Sequence, residues 1–148
     1  MAFSPDGSTI ATGGSDDTAR LWDVATRQEI GAPLSVDTGT VSSVAFSPNG
    51  QVLATGSFDG RVRLWDVATG QQIGGPLTDG STASIDSVAF STDGRTLAAG
   101  TYNGVVQLWN VSDLAQVTSA LCATAGQTLT RAQWALYAAG PAYQNVCP

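Results

Sequence analysis

The chain has 148 residues, of which 43% are hydrophobic and 12% are charged, and this balance favours a compact unit over a disordered segment. Its 12 acidic and 6 basic residues give a net charge of −6, which disfavours binding to nucleic acid or to an anionic membrane. No stretch of the sequence approaches the roughly 20 apolar residues that a membrane-spanning helix needs.

One sequence motif occurs three times along the chain. It reads AFSPDGSTIATGG from Ala2, AFSPNGQVLATGS from Ala45 and AFSTDGRTLAAGT from Ala89, and each copy leads to a tryptophan. The spacing of about 43 residues marks a repeat architecture, in which a short unit needs its neighbour's face to complete a core. We therefore expect the array of repeats, rather than one copy, to carry the function.

Each copy predicts a series of short strands in a fixed order. A first strand such as VSSVAFS is followed by an Asp-Gly or Asn-Gly turn and by a second strand such as QVLATGS. Another such turn, at 59–60 and 103–104, leads to a third strand such as RVRLWDV, while the first copy has Asp-Asp at 16–17. A weaker strand, QQIGGPL, follows in the second copy. Four antiparallel strands per period are typical of a propeller blade.

The segment LATGSFDGRVRLWDVATG around Trp65 resembles the signature of the WD40 repeat family, and the segments around Trp22 and Trp109 are similar to it. The resemblance covers residues 2 to about 111 and implies an all-β fold, a partial β-propeller of about three four-stranded blades. We place the three repeats at 1–34, 35–77 and 78–111, with the first truncated at its start. A helical C-terminal tail is predicted at 112–148.

The resemblance also implies a structural motif within each blade. In the WD40 family a histidine joins a hydrogen-bonded set with a Ser or Thr, the turn Asp and the Trp, but this chain has no histidine. The motif residues that the family pattern implies here are Thr12, Asp16, Trp22, Asp23, Thr55, Asp59, Trp65, Asp66, Asn103 and Trp109. The third copy has Ala99 in place of the threonine and so lacks this hydrogen-bonding hydroxyl. We therefore expect the strands of its blade to be held together least rigidly.

Partner contacts in the WD40 family concentrate on the narrower face of the propeller. They involve the residue before the turn Asp and two positions that flank the first apolar residue of the inner strand. On this sequence the implied partner-binding residues are Ser15, Thr40, Ser42, Phe58, Ser84, Asp86 and Tyr102. Exposed aromatic residues at Phe58 and Tyr102 suit a binding hot spot, and packing against the adjoining loop is the competing interpretation.

The chemistry of the chain disfavours an enzyme. Without histidine the usual base at neutral pH is missing, and neither cysteine has a histidine to activate it. The neighbouring carboxylates Asp16 and Asp17 lie in a repeating turn, which favours a structural role, and neither Gly-Gly pair has the frame of a phosphate-binding loop. We therefore predict a non-catalytic protein that uses no cofactor or metal.

The tail after residue 111 reads as two helices. Apolar residues from Leu114 to Leu121 recur at helical spacing, and a second helix is predicted from Thr130. The tail also resembles the segment that follows the last WD40 repeat in many large bacterial signalling proteins, notably actinobacterial ones. Cys122 and Cys147 are the only cysteines, and both a disulfide between them and two free thiols in a reducing cytosol stay open.

Two functions remain as alternatives at this point. The first is a protein–protein interaction scaffold, the C-terminal part of a larger cytoplasmic bacterial signalling or sensor protein, which binds other proteins or peptides. The second is a stand-alone short propeller protein that closes its ring by homo-oligomerisation, because three blades do not close a ring and two copies supply six. Neither function involves nucleic acid or insertion into a membrane.

Overall fold

The computed structural model describes residues 1–36 and 38–112, which form three consecutive antiparallel sheets. Blade 1 consists of β1 (Ala2–Phe3), β2 (Thr9–Gly13), β3 (Thr18–Asp23) and β4 (Glu29–Ser35). Blade 2 consists of β5 (Val41–Phe46), β6 (Val52–Ser57) and β7 (Val62–Asp66). Blade 3 consists of β8 (Ile85–Phe90), β9 (Thr96–Thr101) and β10 (Val106–Asn110). The predicted all-β architecture of successive propeller blades is confirmed.

The predicted tail helices and the Cys122–Cys147 pairing lie outside the described residues, and they stay predictions. Within the described part of the chain, no helix is long and apolar enough to cross a bilayer.

The first hairpin of each blade closes through hydrogen bonds made by its own turn residues. In blade 1 the Ser4 hydroxyl donates to Asp6 Oδ1 at 2.6 Å, and the backbone N–H of Ser8 donates to the same oxygen at 3.0 Å. Asn49 and Asp93 accept the equivalent serine hydroxyls in blades 2 and 3, at 2.7 and 2.6 Å. The next residue has a positive φ, which glycine adopts without steric cost: 73° at Gly7, 73° at Gly50 and 70° at Gly94.

The turns of blades 1 and 3, which Asp6 and Asp93 close, are expected to make the fold sensitive to acid. Hydrogen bonds from the Ser4 hydroxyl, and then from the backbone N–H and hydroxyl of Ser8, lower the pKa of Asp6 from 3.8 to about 2. Because the folded pKa lies below the unfolded one, the stabilisation is present above pH 3.8 and is lost as the pH falls to about 2. In the wild type the urea unfolding midpoint should fall as the pH is lowered through this window. We expect a smaller fall in Asp6→Asn, because asparagine does not titrate and Asn49 already closes the equivalent turn of blade 2. A midpoint that falls as steeply in the variant as in the wild type would show that Asp6 has no such role.

The fourth strand is formed as predicted in blade 1 but not in blade 2. In blade 2 the segment QQIGGPL makes only isolated bridges to β7, through Gln72 and Leu77. It has the same Gly-x-Pro pattern as β4, but Gly75 stands where β4 has Ala32. A second glycine adds backbone freedom and offers no side chain to pack, next to a proline that both segments share. In blade 3 three strands are present within the described residues.

The apolar cores lie between blades. The core between blades 1 and 2 contains Ala11, Ala19, Leu21 and Leu34 of blade 1 and Val44, Leu53 and Trp65 of blade 2. The core between blades 2 and 3 contains Ala54, Val62, Leu64 and Ile73 of blade 2 and Val88, Leu97 and Ala99 of blade 3. We call the face that a blade presents to the next blade its leading face, and the opposite face its trailing face. Blade 2 is covered on both faces, and its central strand β6 is buried along its whole length.

Candidate interaction face

The candidate partner-binding residues lie at one end of the strands. The backbone N–H of Phe58 donates to the Thr40 carbonyl at 3.0 Å, and the N–H of Tyr102 donates to the Ser84 carbonyl at 2.9 Å. These bonds hold the turn between the second and third strands against the loop that enters the inner strand. We call this end the upper face and define it by residues 14–17, 38–42, 57–61, 81–86 and 101–105. The lower face, at the other end, is formed by residues 4–8, 47–51 and 91–95 with the loops at 23–28 and 66–71.

Phe58 and Tyr102 are large apolar side chains that the upper face leaves open to solvent. Their exposed fractions are 52% and 81%, and neither belongs to the two cores between blades. Ser84 links their two turns, because its hydroxyl donates to the Phe58 carbonyl at 3.3 Å while its own carbonyl accepts the N–H of Tyr102. Packing against the adjoining loop accounts only for the buried part of each aromatic side chain.

Ser42 and Asp86 occupy equivalent positions at the upper ends of the inner strands. In both blades the register with the second strand shifts at this residue, which is the mark of a β-bulge. The Ser42 hydroxyl lies within hydrogen-bond distance of the carbonyl oxygens of Gly56 and Ile85, so it ties blade 2 to blade 3. Asp86 is exposed, and it presents a carboxylate where blade 2 has this bridging hydroxyl.

The remaining three candidates differ in exposure. Ser15 is exposed in the turn of blade 1, at the position that Phe58 and Tyr102 occupy in the other blades. Thr40 and Ser84 are half-buried beneath those aromatic turns. The upper face therefore brings the candidate residues to one side of the array, with the aromatic and acidic side chains outermost.

In blades 1 and 2 a tryptophan–threonine hydrogen bond joins the third strand to the second. Trp22 Nε1–H donates to Thr12 Oγ1, and Trp65 Nε1–H donates to Thr55 Oγ1, both at 3.0 Å. Blade 3 has no hydroxyl at this position, because Ala99 replaces the threonine.

The aspartates that follow Trp22 and Trp65 each close a turn on the lower face. Asp23 Oδ1 accepts the backbone N–H of Thr26 at 2.7 Å, and this bond lowers the pKa of the Asp23 carboxyl. Asp66 Oδ1 accepts the N–H of Thr69 at 2.8 Å in the same way. These two motif aspartates thus fix the end of the blade opposite to the upper face.

The turn aspartates bind arginines that the sequence motif does not include. Asp16 Oδ2 accepts a hydrogen bond from Arg20 Nη2 at 2.9 Å, and Asp59 Oδ2 accepts one from Arg63 Nη2 at 2.8 Å. The bond from Arg20 lowers the pKa of Asp16. The pair in blade 2 is enclosed between blades, because Arg63 is only 1% exposed. The spacing of four residues between Asp and Arg across each turn is the sequence signal that points to these pairs.

Blade 3 carries neutral residues in place of this ion pair. Asn103 and Gln107 stand where blade 2 has Asp59 and Arg63. Asn103 Oδ1 accepts the Thr101 hydroxyl, while Oε1 of the buried Gln107 has no hydrogen-bond partner within the described residues. The aspartate–arginine pair is therefore a feature of blades 1 and 2.

The family model for the WD domain, G-beta repeat, matches this chain at residues 1–23, 31–66 and 74–110. These segments together cover more than half of the chain. Each match ends at the residue after the tryptophan, and the second and third matches begin in the outermost segment of the preceding blade. One repeat of sequence therefore connects two successive blades. A search of curated proteins finds no match to the chain.

Proposed function

Because this chain belongs to the WD40 repeat family, we propose that it is an interaction scaffold whose upper face binds other proteins or peptides. WD40 repeat domains generally mediate protein–protein interactions and are typically non-catalytic. The observation that carries the proposal is the exposure of Phe58 and Tyr102 on turns that Ser84 connects. Aromatic side chains on a rigid support are the residues that most often dominate a protein interface.

The charges near these aromatic residues indicate the chemistry of the partner. Asp86 is exposed on the same face, and the whole chain carries a net charge of −6. The upper face also carries the exposed Arg61, but the net negative charge of the chain favours association with a basic partner and speeds the encounter at low salt. We therefore expect the partner to present an apolar or aromatic group to Phe58 and Tyr102 and a basic group near Asp86.

Binding at the upper face can be measured with a peptide that is selected, from a displayed library of random linear peptides, for binding to the immobilised chain. Replacing both aromatic residues, Phe58→Ala with Tyr102→Ala, is expected to weaken binding of that peptide by about 30-fold or more, because hot-spot truncations cost about 2 kcal/mol or more. Titration calorimetry of the same peptide against both proteins measures the change in Kd.

Val24→Ala is the matched control for this experiment. Val24 is also an exposed apolar side chain, but it lies on the lower face, where its N–H donates to the Ser8 carbonyl. The control should bind the peptide as the wild type does, and circular dichroism should show the same fold in all three proteins. Unchanged affinity in the double variant, or a comparable loss in Val24→Ala, would refute the assignment of the site.

We further propose that the chain is the C-terminal part of a larger cytoplasmic bacterial signalling protein, with repeats at 1–34, 35–77 and 78–111 and a helical tail at 112–148. The support is the resemblance of the tail to segments that follow the last repeat in such proteins. In that setting the upper face would recruit a partner to an upstream effector domain. An open reading frame that continues upstream into further AFSPDG copies supports this placement, and a stop codon directly before Met1 rules it out.

The second candidate function is a short propeller protein that closes its ring by association of copies. The observation that favours it is the exposure of apolar faces at both ends of the array, at Phe3 in blade 1 and at Leu108 in blade 3. Exposed apolar surface of this kind marks an interaction site or an association hazard.

A further inference from the structure

The leading face of blade 3 has the composition of an interface between blades. Leu108 and Val106 are 67% and 66% exposed. Their counterparts in blade 2 are Leu64 and Val62, which pair with the second strand in the same register and are buried in the core against blade 3. The described residues therefore leave an apolar face of this sheet without a cover.

A notch at Gly100 lies on the same face. At its counterpart Gly56, a Cβ would lie 2.5 Å from Cγ2 of Ile85, which is the first residue of the inner strand in the following blade. Gly13 receives Val41 of blade 2 in the same way, since a Cβ there would lie 2.6 Å from Val41 Cγ1. Within the described residues, a Cβ at Gly100 would contact only the inner strand of its own blade. The notch is therefore open to the side chain of one further aliphatic residue.

A serine hydroxyl beside this notch matches a bond between blades 2 and 3. Ser43 Oγ of blade 2 accepts the backbone N–H of Val88, three residues after Ile85, at 3.1 Å. Ser87 occupies the position of Ser43 in blade 3, where it pairs with Gly100 as Ser43 pairs with its glycine. The Ser87 side chain is exposed, and its hydroxyl has no hydrogen-bond partner in the part of the chain that the structure describes. It is thus placed to accept an N–H from an incoming segment.

The tail of this chain carries a matching residue at the spacing of the repeat. Leu129 follows Ile85 by 44 residues, as Ile85 follows Val41, and a threonine or serine precedes each of the three. The residues three positions further on are Val44, Val88 and Ala132. The connection is also of equal length, because β7 ends 19 residues before Ile85 and β10 ends 19 residues before Leu129. The tail therefore repeats the start of the inner-strand pattern within reach of the notch.

We propose that the tail of this chain covers the leading face of blade 3, with the Leu129 side chain in the Gly100 notch. The Ser87 hydroxyl accepts the N–H of Ala132 in this arrangement, and Leu108 becomes buried as its counterpart is in blade 2. The contact continues an interface that the chain already makes twice, between blades 1 and 2 and between blades 2 and 3. It also removes an exposed apolar surface that would otherwise favour association.

The helix that the sequence predicts from Thr130 is compatible with this contact. Leu129 precedes that helix, and the first backbone N–H groups of a helix, such as that of Ala132, have no partner within it. One polar contact differs from the earlier interface. The Ser42 hydroxyl donates to the Ile85 carbonyl, whereas the carboxylate of Asp86, at the same position of blade 3, has no proton to donate to the tail.

The test uses the single basic residue of the tail. Arg131 lies two residues after Leu129 and is the only Lys or Arg after Arg95, so trypsin has one site there, and mass spectrometry of the released fragment gives the cleavage rate. Cleavage of the native chain follows the fraction of molecules in which the tail is undocked. Leu108→Asp should raise the rate about 10-fold or more, because docking would then bury an unpaired carboxylate.

Gly100→Ala is a second variant that should also speed cleavage, because its Cβ would obstruct the notch. Both substitutions are distant in sequence from the cleaved bond, so they change its accessibility and leave its intrinsic susceptibility alone. Val105→Asp is the matched control, and it should leave the rate unchanged. Val105 is exposed next to this face, and its counterpart in blade 2 is the exposed Arg61. Circular dichroism should show the same fold in all four proteins.

Light scattering over a dilution series separates the tail from a second copy as the occupant of this face. The proposal predicts a mass of 15.1 kDa and a cleavage rate that does not depend on protein concentration. Three results would overturn it: a wild type cut as fast as Leu108→Asp, a control that accelerates equally, or protection that appears only in dimers. The inference goes beyond the upper-face function, and peptide binding that persists in any of these cases would leave that function standing.

Discussion

Replacing Asp59 by alanine is expected to lower the free energy of unfolding by about 3–5 kcal/mol. The loss is large because Arg63, whose Nη2 donates to Asp59 at 2.8 Å, would remain as a buried charge without its carboxylate. Nε and Nη1 of Arg63 have no hydrogen-bond partner within residues 1–36 and 38–112, so Asp59 is the group that balances the charge there. Urea unfolding at neutral pH, followed by tryptophan fluorescence, measures the change.

The chain supplies its own control for this prediction. Asp16→Ala removes the same pair in blade 1, where the side chains of Arg20 and Asp16 are 36% and 53% exposed. Because water can solvate Arg20, and because Glu29 Oε2 lies 3.3 Å from its Nη1 as a second carboxylate, the loss of stability should be much smaller than in Asp59→Ala. Equal losses in the two variants would show that enclosure between blades is not the cause.

A double variant separates the unpaired charge from the turn geometry. Asp59 Oδ1 also accepts the backbone N–H of Arg61 at 3.0 Å, so its removal weakens the turn as well. Asp59→Leu combined with Arg63→Met removes both charges, and we expect it to recover most of the stability lost in Asp59→Ala. If the double variant is as unstable as Asp59→Ala, the cost comes from the turn.

Gly56→Ala is expected to destabilise the chain by about 1–3 kcal/mol through overpacking between blades 2 and 3. The added Cβ would lie 2.5 Å from Ile85 Cγ2 and 3.0 Å from Val88 Cγ1, which is closer than packed carbons allow. Both contacts belong to the inner strand of blade 3, so the blades must separate or shift. The urea midpoint gives the size of the effect, and amide exchange across 85–110 should show blade 3 opening first.

Gly100→Ala is the matched control in the neighbouring blade. Its Cβ would lie 2.8 Å from Ser87 Oγ, a single serine hydroxyl that can rotate away, and alanine restricts the unfolded chain more than glycine does. With the notch emptied by Leu129→Ala in the same chain, we expect this variant to be as stable as its parent or slightly more so. If Gly56→Ala cost no more than Gly100→Ala, the close approach of the two blades would be disproved.

The repeated architecture could be predicted from sequence because its signals are local. The turn residues, the strand patterns and the tryptophan recur at the same positions of each repeat. Any one repeat by itself therefore predicts the same order of strands and turns. The hydrogen bonds of Trp22 and Trp65 to their threonines follow from the same pattern, since the family motif places both residues on adjacent strands. Local periodicity was therefore sufficient for the fold class, whereas the tryptophan–threonine hydrogen bonds were implied by the resemblance to the WD40 family.

Features that depend on neighbouring blades could not be read in this way. Leu64 and Leu108 occupy the same place in the same phrase, yet one is buried and the other is 67% exposed. The pattern shows that this face of the sheet is apolar, but it does not show what covers it. The β-bulges at Ser42 and Asp86 likewise could not be predicted from the alternation of apolar and polar residues. A bulge shifts the register between two strands without changing their composition.

The missing strand in blade 2 shows how small a sequence difference decides an element. The segments EIGAPLS and QIGGPLT share their glycine, proline and leucine positions, and only the first forms a continuous strand. The substitution of Gly75 for Ala32 adds backbone freedom at the point where the ladder is already weakened by proline. Propensity at this position therefore favours a fourth strand in blade 1, where Glu29 also pairs with Arg20 of β3, while blade 2 has Gln72 at that position.

The most direct measurement of the central claim is amide hydrogen exchange of the chain with and without the selected peptide. If the upper face is the binding site, protection should rise in residues 38–42, 57–61, 81–86 and 101–105, where the aromatic turns and inner-strand loops lie. The turns of the lower face, at 4–8, 47–51 and 91–95, should exchange at unchanged rates. Protection confined to the lower turns or to residues 113–148 would contradict the claim that this scaffold binds through its upper face.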